Sequence, residues 1–298
     1  MRFLRSRTPL QLALALCALS GVHVASGQSG SVRGKSAAAP PVALSVLPSG
    51  ALLILHDDGA VFSAQQGRPG ARPLRQSDAR FVAMDMTVYE GVAPASVFIT
   101  LWQRNNQAYL LQFTEQGKEA RRWALGPGTY VGTAFDPTTN TLFLVNSSQS
   151  EIRSLSLKRP GEIPKYVTRV ADSDALGPVA VDVRRKHLYV GDAVKGVVFD
   201  VDLAKKRTRV LVSSLGEPAA LVYDAQADKL YVADAGRKRV VVGTPSPDAV
   251  FTPIVTTQAF IEPRGLALDR SRNLWVADAG ANKVFLLSAS GRVVQTVP

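Results

Sequence analysis

Four stretches of this chain repeat one wording at nearly constant spacing, and that constrains the fold more than any other feature. Asp136, Asp182, Asp224 and Asp269 each close an apolar run. Asn146, Asp192, Asp234 and Asp278 close the next run, nine or ten residues later. Six residues beyond those stand Ile152, Val198, Val240 and Val284. Successive copies begin 46, 42 and 45 residues apart, counted from the first Asp of each. Three short apolar runs per copy, bounded by Gly, Pro, Asn and Asp, predict a strand meander. A period of roughly 40–45 residues with several strands per unit is the signature of a β-propeller.

Two weaker copies lie upstream. The run FVAMDM (81–86) matches a first strand, with Asp85 at the landmark, and Val97–Thr100 and Ala108–Phe113 follow as strands. Residues 42–47 and 51–55 open the first copy, where His56 stands in place of the second Asp and Phe62 lies six further on. The expectation is therefore all-β: a six-bladed β-propeller of four-stranded antiparallel blades over 42–298. A single blade cannot bury its own faces, so the six units form one domain.

The wording of the last copy resembles an NHL repeat: Pro263, Gly265, Leu266, Ala267, Leu268 and Asp269, then Asn273, Leu274, Trp275, Val276, Ala277 and Asp278, then Lys283 and Val284. Residues 218–240 are a looser version, and Leu188–Asp192 lean toward the related YWTD wording. The resemblance implies a propeller and no particular function, since such scaffolds host many. Gluconolactonase-like and streptogramin-lyase-like relatives are enzymes, the first using a divalent cation held by acidic and amide residues, the second a histidine.

The N-terminus reads as a targeting segment. Arg2, Arg5 and Arg7 precede an apolar run, Leu10–Leu19, that is too short to span a bilayer as a helix. Small residues follow, so 1–27 is expected to be a signal peptide, with cleavage between Ala25 and Gln28. Residues 28–41, rich in Gly, Ser, Ala and Pro, are expected to be a flexible leader. Cleavage removes Cys17, the only cysteine, and three of the 35 basic residues, leaving 32 against 24 acids, or +8. An exported chain without cysteines fits a bacterial periplasmic or secreted protein better than an animal extracellular domain.

Strand alternation sorts the loops onto two ends. Calling the strands of a blade A to D outward from the channel, the D-to-A and B-to-C connections share one end, and A-to-B and C-to-D share the other. The first end carries Asn146, Asp192, Asp234 and Asp278, expected to cap structural turns through backbone N–H groups. Its A-strand entries carry Tyr130, Glu217, Glu262 and Arg264, the candidate ligand-binding residues around the channel mouth. The second end carries Arg184, Arg185, Lys186, Lys205, Lys206 and Arg207, a candidate contact for polyanions such as an anionic surface. Without interleaved aromatics it is not expected to bind nucleic acid. After the leader the only histidines are His56 and His187, and no catalytic set, metal site or cofactor site can be assembled from the sequence. These features favour a binding or scaffolding module for a protein, peptide or glycan partner, with no transmembrane segment in the mature chain. An NHL-like lyase or a gluconolactonase-like hydrolase with a divalent cation at the mouth is the alternative.

Overall fold

The computed structural model describes residues 39–298, apart from 90–94, 104, 160–161 and 255. The expected signal peptide and nearly all of the leader lie outside the described residues. Among the described residues twenty-four strands form six four-stranded antiparallel sheets. Blade 1 is β1 (Pro41–Val46), β2 (Leu52–His56), β3 (Val61–Ala64) and β4 (Ala71–Arg75); blade 2 is β5 (Phe81–Tyr89), β6 (Ser96–Gln103), β7 (Gln107–Thr114) and β8 (Glu119–Pro127). Blade 3 is β9 (Tyr130–Asp136), β10 (Thr141–Asn146), β11 (Glu151–Ser156) and β12 (Lys165–Arg169). Blade 4 is β13 (Leu176–Asp182), β14 (His187–Asp192), β15 (Val197–Asp202) and β16 (Arg207–Val212). Blade 5 is β17 (Pro218–Asp224), β18 (Lys229–Asp234), β19 (Arg239–Gly243) and β20 (Thr252–Pro253), and blade 6 is β21 (Pro263–Leu268), β22 (Leu274–Asp278), β23 (Lys283–Leu287) and β24 (Val293–Val297). The fold is the expected six-bladed propeller. No helix among the described residues is long and apolar enough to cross a membrane.

The core lies between blades, and this explains the sequence pattern. The second strands have neighbours on both faces, so they read as unbroken apolar runs: Leu52–Leu55 and Leu188–Val190 are almost fully buried. Outer strands meet water on one side and alternate, leaving Val210 and Val294 exposed. The β-branched residues Ile152, Val198, Val240 and Val284 are all core residues.

Ring closure uses no shared strand. Blades 1 and 6 each hold a full consecutive set, and their inner strands β1 and β21 lie side by side. Any side chain at Gly265 would bring a Cβ within 3.2 Å of the Ala43 Cα, so the glycine permits the close approach. Leu44, Leu52 and Ile54 then pack with Trp275, Val284 and Leu286. At the rim, Gln295 of β24 accepts from the Gly67 N–H at 2.9 Å and donates to the Gln65 and Arg68 carbonyls.

The first Asp of each strong copy sits where its strand enters a turn. Asp136, Asp182 and Asp224 each accept from backbone N–H groups two and three residues on, and Asp269 accepts from Asn273 N–H four residues on. Asp85 does not belong to this series. β5 runs four residues past it, to Tyr89, so Asp85 lies inside the strand. The sequence match followed the apolar run and missed that blade 2 has longer strands.

Candidate binding site at the channel mouth

The sequence predicts that the second polar residue of each copy caps its own B-to-C turn. Asp192 and Asp278 do, but the side chains of Asn146 and Asp234 make no such cap, and all four have a further role. Asp192, Asp234 and Asp278 are completely buried, as is Asn146. Asp192 Oδ1 accepts from Val194 and Lys195 N–H in its own B-to-C turn, the expected cap. Its Oδ2 accepts from Asp174 and Ala175 N–H in the loop entering the blade's A strand. Asp234 likewise holds Gly216 and Glu217 N–H at 2.7 and 3.1 Å, and Asp278 holds Ile261 and Glu262 N–H at 2.8 Å each. In blade 3 the link is relayed: Thr129 N–H donates to Ser148 Oγ, which donates to Asn146 Oδ1. Blade 1 inverts it, with the His56 imidazole Nδ1 against the Ala39 carbonyl oxygen. Each carboxylate thus fixes the loop that carries a mouth residue, and charge-assisted bonds to buried N–H groups are the stronger kind.

A bulge interrupts pairing near the start of every inner strand, skipping Val42, Met84, Val131, Gly177 with Pro178, Ala219 and Arg264. Bulges re-aim side chains. Here Val42, Met84, Val131, Pro178, Ala219 and Arg264 line two cavities at once, a mouth of about 100 Å³ and a channel of about 400 Å³. They form a ring, one residue per blade, that separates the mouth from the lumen.

Arg264 is the one charged member of this ring and is 91 % buried. It donates to Glu217 of blade 5 at 2.9 Å and to Glu262 of its own blade at 2.7 Å. Asp57 also lines the mouth, and burial, then the neighbouring Asp58, pushes its carboxyl above the ordinary range. The structure therefore brings together three of the four expected mouth residues. Tyr130 does not join them: its ring is buried between blades 2 and 3 with Phe98, Trp123 and Leu142, because β9 turns that side chain toward the neighbouring blade. Sequence reasoning missed Asp57 and the ring. The doublet Asp57-Asp58 before Gly59 signals a turn and nothing more, while the bulges arise from pairing that no spacing displays.

The six basic residues lie on the opposite end, all exposed. Their charges are partly spent within the protein. Arg185 bridges Asp182 of blade 4 and Asp228 of blade 5, each at 2.6 Å, and Arg184 donates to the Tyr223 hydroxyl. Burial pushes the Asp182 carboxyl up, but hydrogen bonds from Arg185 and Tyr189 outweigh it and hold the group below its ordinary value. Lys205 stands 3.6 Å from Asp202, and Lys186 and Lys206 occupy left-handed turn positions. Nearby, His187 Nδ1 lies 2.6 Å from Asp200, which also receives Arg209. Neither histidine lines the lumen or the mouth. Among the described residues no three His, Cys, Asp or Glu side chains are grouped to hold a metal ion.

No protein-family model matches the chain. Its fold is shared by solved structures. It is similar to a chain in a nidogen/laminin complex at 18% identity, over 83% of this chain and 92% of that one, with a TM-score of 0.68. It is similar to an auxiliary nutrient binding protein from Bacteroides thetaiotaomicron at 14% identity, over 82% and 68%, with a TM-score of 0.64. It is also similar to a catalytically inactive virginiamycin B lyase from Staphylococcus aureus, solved with quinupristin, at 12% identity, over 90% and 87%, with a TM-score of 0.62. At these identities the likeness is one of fold.

Proposed function

We propose that this six-bladed propeller is an exported binding or scaffolding module that engages a protein, peptide or glycan partner through the loops around its channel mouth. The observation that carries this reading is the Glu217–Arg264–Glu262 cluster, which joins two blades across the channel ring. Its loops are clamped by completely buried Asp234 and Asp278, so the polar centre is preformed and little ordering entropy is lost on binding. Exposed apolar groups flank it on the same end: Val194 in a B-to-C turn and Ile261 in an entry loop. Apolar rim and polar centre are what a concave recognition site offers. Export is supported by the basic and apolar N-terminal pattern of the sequence. That a nidogen/laminin complex and a nutrient binding protein are built on this fold is consistent with a binding role.

The test uses the exported protein as bait for partners from its own source, comparing three forms. Val194→Arg with Ile261→Arg should lose a partner that wild type retains. Lys205→Ala, Lys206→Ala and Arg207→Ala together should retain it. The opposite pattern places recognition on the basic end and overturns the reading.

A further inference from the structure

One position in the inner strands separates blade 2 from the rest. Directly after the bulge stand Ala43, Gly132, Ala220 and Gly265 in four blades, Val179 in blade 4, and Asp85 in blade 2. At Gly132 and Gly265 the neighbouring inner strand closes up; a Cβ on Gly132 would lie 2.4 Å from the Gly177 carbonyl oxygen. Asp85 occupies that position by reaching across to blade 3, where its Oδ2 accepts from Thr133 N–H at 2.6 Å and from Thr133 Oγ1 at 3.0 Å.

Asp85 is among the residues lining the lumen of about 400 Å³, one position beyond the ring residue Met84. Among the described residues lining that lumen only Asp85 and Arg264 carry charge, and the described ion pairs of Arg264 are with Glu217 and Glu262 on the mouth side. The two cavities are thus lined by the acids Asp57, Asp85 and Glu217 and by one basic residue, Arg264, in a chain whose net charge is +11. By formal charge the lining is acidic while the protein as a whole is basic. A volume of this size suits a small organic molecule. It is far larger than a bare ion needs, and one carboxylate is far short of the six to eight oxygens of a calcium site.

We infer that the lumen is a binding pocket for a compact organic cation, an ammonium group carried by a small amine or by a lysine-like side chain, with Asp85 as its counter-ion. Ser45, Thr87 and Thr133 stand among the lining residues, and the wall exposes more polar than apolar surface, which suits an ammonium head that needs acceptors around it. The carboxyl's displacement upward by burial agrees with a negative charge that lacks a cation in its surroundings. The inference does not depend on what binds at the mouth.

The experiment titrates the protein at pH 8 with n-butylamine, with Nα-acetyl-lysine amide and with butyrate. Calorimetry reads affinity, and ¹³C NMR reads the carboxyl shifts. Both amines should bind and shift the Asp85 carboxyl, butyrate should do neither, and Asp85→Asn should weaken amine binding at least ten-fold. Binding of butylamine alone assigns the pocket to free amines; binding of both extends it to lysine-like groups. Failure of both amines to move the Asp85 carboxyl in wild type overturns the inference, whether or not the variant folds. Equal amine affinity in folded Asp85→Asn also overturns it. Either result leaves the Val194 and Ile261 test of the mouth untouched.

Discussion

Arg264 of blade 6 donates to Glu217 of blade 5 at 2.9 Å, across the boundary between two blades and at the edge of the channel ring. The contact makes the mouth a joint property of two repeats. Removing the guanidinium strands Glu217 and Glu262, whose side chains keep 15% and 29% of their exposure. Breaking a buried pair costs about 3–5 kcal/mol, and the residual water contact of these carboxylates lowers that to about 2 kcal/mol for Arg264→Ala. Adding Glu217→Gln should recover part of the loss. Urea melts of the single and double variants measure the coupling; strict additivity would show that the pair is not coupled.

The buried aspartates predict a larger effect than an ordinary turn cap. Asp278 accepts from Ile261, Glu262 and Ala281 N–H, and Asp234 from Gly216 and Glu217 N–H and from Arg239. With each stranded donor worth about 1–3 kcal/mol, Asp234→Ala and Asp278→Ala should each cost about 3 kcal/mol. Hydrogen exchange should rise at 214–217 in the first variant and at 260–262 in the second. Unchanged exchange in those loops would show that the carboxylates do not hold the mouth.

Asp85 predicts how stability varies with pH. The lumen reaches only part of its carboxyl, most of whose surroundings are protein, and burial pushes it up to about 6 against the bonds from Thr133. A carboxyl raised above its unfolded value favours the protonated folded state. Its stabilising contribution is fully present below about pH 4 and is lost as pH rises through about 6. Wild type should therefore lose about 3 kcal/mol across that window relative to Asp85→Asn, at about 1.36 kcal/mol per pH unit. Thermal melts from pH 4 to 8 for both proteins check it. Parallel curves would remove Asp85 as the source.

The exposed basic residues predict little. Replacing Lys205, Lys206 and Arg207 by Ala touches one long ion pair, Lys205 with Asp202, and surface pairs are worth about 0–1 kcal/mol. The triple variant should melt within a few degrees of wild type, and any polyanion affinity it loses should be an affinity that salt also weakens. Binding that persists at high salt and disappears in the variant would contradict this.

Much of the architecture was legible because burial and turn chemistry recur at each copy. Ile152, Val198, Val240 and Val284 recur because both faces of those strands are covered, and Asp192, Asp234 and Asp278 recur because each blade must tie its entry loop to its B-strand end. Strand alternation alone was enough to bring Glu217, Glu262 and Arg264 to one opening. Blade 2 broke the pattern, and Asp85 was matched to a turn from which it stands four residues away, since β5 carries nine residues. Tyr130 had the right loop and the wrong side-chain direction. The ring is not legible because a bulge is a relation between two strands, and its members Val42, Met84, Val131, Pro178, Ala219 and Arg264 span five residue types.

The most direct test of the account is hydrogen–deuterium exchange on the protein, alone and with a partner retained in the capture experiment. The account predicts protection confined to the first end: residues 172–177 and 193–196, 214–219 and 235–238, and 259–265 and 279–282. Protection at 183–186 and 203–207 with none at the mouth would contradict it.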